Sequence, residues 1–475
     1  MTRTRLFFPL LFALLVAARM CHTGILWEGD ALPMAAAGQM LHGKALYRDI
    51  WYDKPPLVPA FHLLCGARPG WELRLEDALF ALLCCWIVYG FARDLWSRRE
   101  GFWAAGLLGF YLTFYLPSAV IPAGSDLLML APHVAAVWMA HKRRPLWSGA
   151  LAGVAFWISP KAVFAAAACA LWYPAGAPLM AAGFLAVSGA GAAALWSFGA
   201  LGPYWREVWE WGRLYAGDTF LQEPLRNGIV RTLNWIGFHV AAAVAAAWFL
   251  VKTLRGDRLA GLRWVGWLVL ALMGVAAGMR FFPRYYFLLL PVTVLMAARG
   301  FTLLGRAREF AALLLLIPLT RFGPSYVAAI TQPDWRDTAM DRDSRAASAL
   351  IRRMAQPGDT LFVWGYRPEI YVYTRLPAGS LFLDSQPLTG VPADRHLTQS
   401  APVEFAAAKE HRAELAASSP TFVADGLSPY NPRLGIGAYP DLRAWFANYE
   451  AVARTGQTVL YRRTGPAERL PPLIK

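Results

Sequence analysis

Apolar runs of bilayer-crossing length, separated by short clusters of Arg and Lys, occupy most of the chain up to Thr331. A spanning helix needs about 20 predominantly apolar residues, fewer where the bilayer thins. On that criterion spans are predicted near 6–22, 76–95, 102–117, 125–141, 146–159, 161–175, 178–201, 229–251, 261–279, 284–303 and 309–327, about eleven in all. Composition agrees: 57% of residues are hydrophobic and 16% charged, whereas a soluble domain carries about a quarter of its residues as charges. The 21 Trp, many at the ends of apolar runs, suit the headgroup belt. The fold class is therefore a polytopic α-helical membrane protein.

Charge gives the orientation. With the N-terminus inside, the cytoplasmic loops hold Arg93, Arg98 and Arg99, then Lys142, Arg143 and Arg144, then Lys252, Arg255, Arg258 and Arg263, and finally Arg306 and Arg308. That is the positive-inside pattern. It accounts for the net charge of +15 as topology signals facing anionic lipid, not as a nucleic-acid footprint. The apolar segment 57–67 is too short to span and is placed as a helix in the interface. The run Leu6 to Ala18 behind Arg3 and Arg5 is read as a retained first helix, because no small-residue cleavage site follows. Cys21, Cys65, Cys84, Cys85 and Cys169 fall in or beside apolar segments without metal-ligand spacing and read as inert thiols.

Two external loops are long, 23–56 and 202–228. The second carries Trp205, Trp209 and Trp211 beside Arg206 and Arg213 and reads as an amphipathic helix on the membrane surface. Beyond about residue 330 the composition turns polar, and strand-like DTLFVW, TFVADG and TVLYRR alternate with helical 342–355, 402–417 and 439–448. The expected division is thus a transmembrane domain, 1–328, bearing both loops, and a small extracytoplasmic α/β domain, 329–475. The latter contains no P-loop, dinucleotide fingerprint or nucleophile elbow.

Loop 23–56 collects Glu28, Asp30, Asp49 and Asp53 with Lys44, Arg48 and Lys54 just outside the first helix. Acids at a membrane face are costly to desolvate and mark substrate or ion paths; a solvated loop is the plainer reading. The order Asp30, a small-residue helix ending at Gly43, Tyr47-Arg48-Asp49 and Lys54-Pro55-Pro56-Leu57 resembles the GT-C glycosyltransferases, in the branch of protein O-mannosyltransferases and the lipid A aminoarabinose transferase. Gly124-Ser125-Asp126 at the fourth span, Pro160-Lys161, RFFPRYYFLLLP at the tenth span and GDTLFVWGYRPEIYVYT extend the resemblance along most of the chain. Two positions depart from it. Gly29 stands where many relatives have the first acid of a pair, with Glu28 shifted by one, and Arg284 replaces a common His.

The resemblance implies inverting transfer of a hexosyl or pentosyl group from a polyprenyl-phosphate donor to a glycan, lipid or protein hydroxyl at the external membrane face, and the Ala/Arg-rich composition and compact loops suggest a bacterial inner membrane. Asp30 is then the general base, with Glu28 in reserve and Asp126 as second acid. Lys54, Arg280, Arg284 and Tyr285 face the donor phosphate. Such a leaving group needs fixed positive charge rather than an acid. A divalent cation, Mg²⁺ or Mn²⁺ on Asp30 and Asp126, is compatible but not demanded. Plainer roles stay open for several of these residues. Arg280 and Arg284 can anchor at headgroups, Lys161 can snorkel, and Asp126 can cap its helix. Tyr47 and Trp51 can belong to the aromatic belt, and Pro55-Pro56 can be a rigid turn. Competing functions are a transporter or flippase of lipid-linked sugars, a non-catalytic scaffold of envelope assembly, and a glycan ligase or polymerase using a lipid-diphosphate donor. Against the transporter, no paired broken-helix repeats are visible, and the charged residues gather at one face rather than at the midplane.

Overall fold

The computed structural model describes residues 2–217, 223–391, 400–403 and 406–464. The chain divides into two compact units: 1–30, 53–65 and 70–335 form the first, and 31–52, 66–69 and 336–475 the second.

The first unit is helical. Among the described residues, four helices are long and apolar enough to cross a membrane, Trp71–Leu95, Pro174–Ser197, Arg258–Ala276 and Gly305–Thr331, or five if Pro224–Phe238 and Val240–Gly256, bent by 91°, count as one span. Leu6–Met20, Pro145–Phe156, Ala162–Trp172 and Leu290–Leu303 are apolar but shorter. The chain is an integral membrane protein, while the expected count of about eleven spans is not matched by helices of full length. The reason is local. Pro160 separates two short helices, Pro283 opens a 3₁₀ turn over Pro283–Leu288, and the run 125–141 divides into Ser125–Leu128 and Leu130–His141. A 12-residue helix rises only about 18 Å.

Small residues bring these helices together, as is usual where lipid removes the hydrophobic drive between them. A Cβ on Gly149 would fall 1.8 Å from the Met180 carbonyl oxygen, and one on Gly183 2.1 Å from that of Leu146. Backbones of Pro145–Phe156 and Ala177–Ser197 therefore touch directly. The Trp residues do not all serve the interface as expected. Trp264 and Trp267 are buried in the bundle, and the Trp267 indole donates to His133 at 3.2 Å. Segment 57–67 forms the short helix Leu57–His62, and 201–217 is helical throughout; 218–222 lie outside the described residues.

The second unit holds a four-stranded sheet of order β1-β2-β4-β3, with β1 Leu361–Trp364, β2 Phe422–Asp425, β3 Tyr449–Arg454 and β4 Val459–Arg463. β1 and β2 are parallel, pairing Leu361 with Phe422, and the other pairs are antiparallel. Three strands were expected. β3 escaped because its YEAVAR sequence is largely exposed and lacks an apolar face. Helices Ala339–Met354 and Ala406–Ala416 match the predicted 342–355 and 402–417, with 404–405 outside the described residues. The predicted helix 439–448 is only the turn Pro440–Leu442 followed by Arg443–Phe446.

The core of this unit is pinned by Arg367. Its fully buried guanidinium donates to Asp343 at 2.9 Å, Thr458 at 2.6 Å, Ser344 at 2.6 Å and the Met340 carbonyl at 2.9 Å. Removing one partner of such a pair strands the other charge in low dielectric. Arg367→Ala is expected to destabilise this unit by about 3–5 kcal/mol, read as a loss of protease resistance in residues 336–464 of the full-length protein.

Candidate functional site

Loop 23–56 does not act as one cluster. Helix Glu28–Leu41 starts in the first unit and continues into the second, so Glu28, Asp30, Asp53 and Lys54 belong to the first, and Lys44, Tyr47, Arg48 and Asp49 to the second. There the loop is clamped to 376–381: Gln39 bonds Leu376 and Ala378, the Lys44 ammonium donates to the Ala378 carbonyl, and the Trp51 amide to that of Leu381. Tyr47-Arg48-Asp49 is a tight turn. Tyr47 has φ 68°, and Asp49 accepts from the Ala45 amide at 2.8 Å and from Arg48 at 2.8 Å. The bond from Arg48 helps hold the Asp49 carboxyl below the usual carboxylate range. These residues are accounted for by local structure.

In the first unit Asp30 is fully buried and both its oxygens are engaged. Oδ2 accepts from Arg74 Nη1 at 2.9 Å and Oδ1 from the Ala123 amide at 3.0 Å. Arg74, also fully buried, spends its remaining donors on Asp77 at 2.5 Å, the Ile25 carbonyl at 2.9 Å and that of His22 at 3.4 Å. Arg74 and Asp77 were not anticipated as site residues. The signal was present in WELRLEDALF, where two opposite charges at i and i+3 face one side of an apolar helix. Glu28, in the first turn of the same helix as Asp30, is only half-buried.

Ala123, whose amide Asp30 accepts, lies three residues before Asp126 in the chain. Asp126 opens the turn Ser125–Leu128; its Oδ1 accepts from Lys161 Nζ at 3.0 Å, and Arg284 Nε stands 3.9 Å from Oδ2. The Lys161 ammonium lies 2.9 Å from the centroid of the Tyr285 ring. Three motifs far apart in sequence, Gly124-Ser125-Asp126, Pro160-Lys161 and Arg284-Tyr285, thus form one group. Lys161 is engaged by Asp126, not extended as a snorkel. Arg280, nearly fully buried, donates to the Tyr215 carbonyl at 2.5 Å and stacks on that ring at 3.4 Å. It fastens the second long loop to the RFFPRYYF segment. Lys54 pairs with Asp53 at 2.6 Å and is about one-third exposed.

Gly29 explains its own departure from the acidic pair. A Cβ there would lie 2.8 Å from Pro122 Cγ and 2.9 Å from its Cβ, atoms of a rigid ring. Gly29→Asp should therefore lower stability by about 1–3 kcal/mol instead of supplying an acid, measured as a drop in the thermal midpoint of the detergent-solubilised protein.

Asp30 shares the buried Arg74 with Asp77, and Asp126 pairs with half-buried Lys161, so each acid already faces a cation, an arrangement that does not suit a shared divalent ion. Among the described residues the three-ligand group is elsewhere, at His62, Cys65 and Glu76.

Residues 53–198 match the family model of dolichyl-phosphate-mannose-protein mannosyltransferases, a stretch that includes Lys54-Pro55-Pro56-Leu57, Asp126 and Lys161. No curated protein sequence matches the chain. By structure the chain is similar to ArnT from Cupriavidus metallidurans bound to undecaprenyl phosphate, with TM-score 0.61 and 13% identity over 98% of each chain. It is also similar to the oligosaccharyltransferase AglB from Archaeoglobus fulgidus in complex with an inhibitory peptide and a dolichol-phosphate, with TM-score 0.52 and 12% identity over 99% of this chain and 75% of that one. The same organism's oligosaccharyltransferase in complex with Zn and sulfate gives TM-score 0.52 and 14% identity, over 94% and 71%. The resemblance to GT-C membrane glycosyltransferases holds, and as a fold it extends over nearly the whole chain.

Proposed function

We propose that this chain, a GT-C-type membrane protein by fold, transfers a sugar with inversion from a polyprenyl-phosphate donor to an acceptor hydroxyl. The observation that carries the reading is the convergence of Asp126, Lys161, Arg284 and Tyr285 beside the Asp30 segment. It is supported by the matched family description and by the lipid phosphates named for ArnT and AglB. Transfer takes place at the external face of a bacterial inner membrane, with the N-terminus inside, 1–328 as the transmembrane domain and 329–475 outside. The chemistry makes two demands on the site. As the acceptor oxygen bonds to C1, the C1–O bond to phosphate breaks and its electron pair leaves with the phosphate. Fixed cations at that oxygen stabilise the charge as it develops. Lys54, Arg284 and the Tyr285 hydroxyl fill this role, Lys161 supports it from Asp126, and Arg280 holds Tyr215 in place.

The hydroxyl proton must pass to a carboxylate within hydrogen-bond reach, and Asp30 is assigned as that base. A carboxylate has about four lone-pair sites, of which Arg74 and Ala123 occupy two. Asp126 orients the acceptor. The full burial of Asp30 favours one second reading, in which Asp30 positions the segment and half-buried Glu28 takes the proton. Sugar transfer in membranes from radiolabelled polyprenyl-phosphate donors tests the proposal. Label appearing in an acceptor supports it. Labelled lipid crossing the bilayer with no donor consumed would replace it with the flippase, and neither event would leave a scaffold.

A further inference from the structure

The side chains of His62, Cys65 and Glu76 play no part in the reaction above, yet they bring three ligand types to one place. His62 ends the helix Leu57–His62, Cys65 follows three residues later in the turn, and Glu76 comes from the second turn of Trp71–Leu95. One imidazole nitrogen, the Cys65 sulfur and one Glu76 oxygen all lie within 4.8 Å of one another. His62 is fully buried, and neither ring nitrogen has a hydrogen-bond partner. A buried imidazole without a partner is uncommon, and an ion is one of the standard explanations. The Cys65 thiol donates to the His62 carbonyl at 3.3 Å, and both Glu76 carboxylate oxygens are buried without a hydrogen-bond partner. Cys65 and Glu76 are half-buried as residues.

We infer that His62, Cys65 and Glu76 bind a divalent ion of the zinc class, with three protein ligands and one position open to water or an anionic oxygen. The donor set selects the metal. A thiolate with an imidazole suits zinc, whereas magnesium and calcium prefer oxygen throughout. Zinc bonds of about 2.0–2.3 Å put the ligand atoms of a tetrahedral site roughly 3.4–3.7 Å apart. The three groups therefore draw together by about 1 Å on binding, within the reach of side-chain torsions at the end of a six-residue helix. Binding releases the thiol proton to solvent. The 62–65 spacing is the sequence signal, and it sets this inference against the reading of Cys65 as an inert thiol.

The full-length protein, purified in detergent and stripped with a chelator, is titrated with Zn²⁺ and separately with Co²⁺. The expected result is one equivalent of either ion, with Co²⁺ giving tetrahedral visible bands and a near-ultraviolet thiolate-to-cobalt band that disappears in Cys65→Ser. His62→Ala and Glu76→Gln should each weaken Zn²⁺ binding by about 100-fold or more, since even outer-shell changes cost 10–100-fold. Zn²⁺ should also shield Cys65 of the unmutated protein from maleimide, located by peptide mass spectrometry. Absence of stoichiometric binding, a Co²⁺ spectrum without the thiolate band, or undiminished binding by the three variants would overturn the inference. None of these readouts depends on sugar transfer, so the site and the reaction fail separately.

Discussion

Asp30→Asn is expected to cut sugar transfer in membranes by about 10²-fold or more, the size of a lost general base. Asparagine keeps the shape and the Ala123 hydrogen bond but cannot accept the proton. It also leaves Arg74 with Asp77 as its only carboxylate partner. Glu28→Gln measured alongside separates the two readings of the acid pair. If Asp30→Asn abolishes transfer while Glu28→Gln changes it less than a few-fold, Asp30 is the base. If Glu28→Gln is the inactive one and Asp30→Asn lowers protein yield and activity together, Asp30 positions the segment and Glu28 takes the proton. Full transfer by both variants would remove the carboxylate mechanism from this end of the protein.

Arg284→Ala should lower transfer by about 10²–10³-fold, the usual consequence of deleting one preorganised donor at a developing oxyanion. Its guanidinium is about one-third exposed and stands 3.9 Å from Asp126 Oδ2, so its removal opens no cavity in the apolar core. The protein should fold normally, and the loss should fall on turnover more than on yield. Arg284→Lys should recover part of the rate, since an ammonium supplies charge without the bidentate fork. Raised ionic strength should weaken donor binding to the wild type more than to Arg284→Ala. Unchanged transfer by Arg284→Ala would return this residue to the headgroup-anchor role.

The candidate site was legible wherever the motif was a contiguous string. Lys54-Pro55-Pro56-Leu57, Gly124-Ser125-Asp126, Pro160-Lys161 and the RFFPRYYFLLLP segment with Arg284-Tyr285 could each be singled out because they are the strings that carry the family resemblance. Their partners could not. Nothing in the sequence pairs Asp30 with Arg74, 44 residues away, or Lys161 with Asp126, 35 residues away. A carboxylate near the membrane selects its cation by tertiary packing, and several arginines were equally eligible by sequence. The loop 23–56 misled for the same reason: adjacency suggested one charged cluster, whereas bonds from the Gln39 and Lys44 side chains and the Trp51 amide place half of it with residues 376–381, over 300 positions on.

Membrane class follows from the sequence alone, because burial of apolar surface in lipid depends on the length and composition of each run and on little else. So do three strands of the small sheet, whose apolar stretches have no alternative use. Tertiary structure alone decided how those runs are cut. Pro283 and the bend at His239 shorten helices that composition would have carried across. It also decided which acids face which cations, because a buried charge is tolerated only where a partner from another segment arrives within a few ångströms.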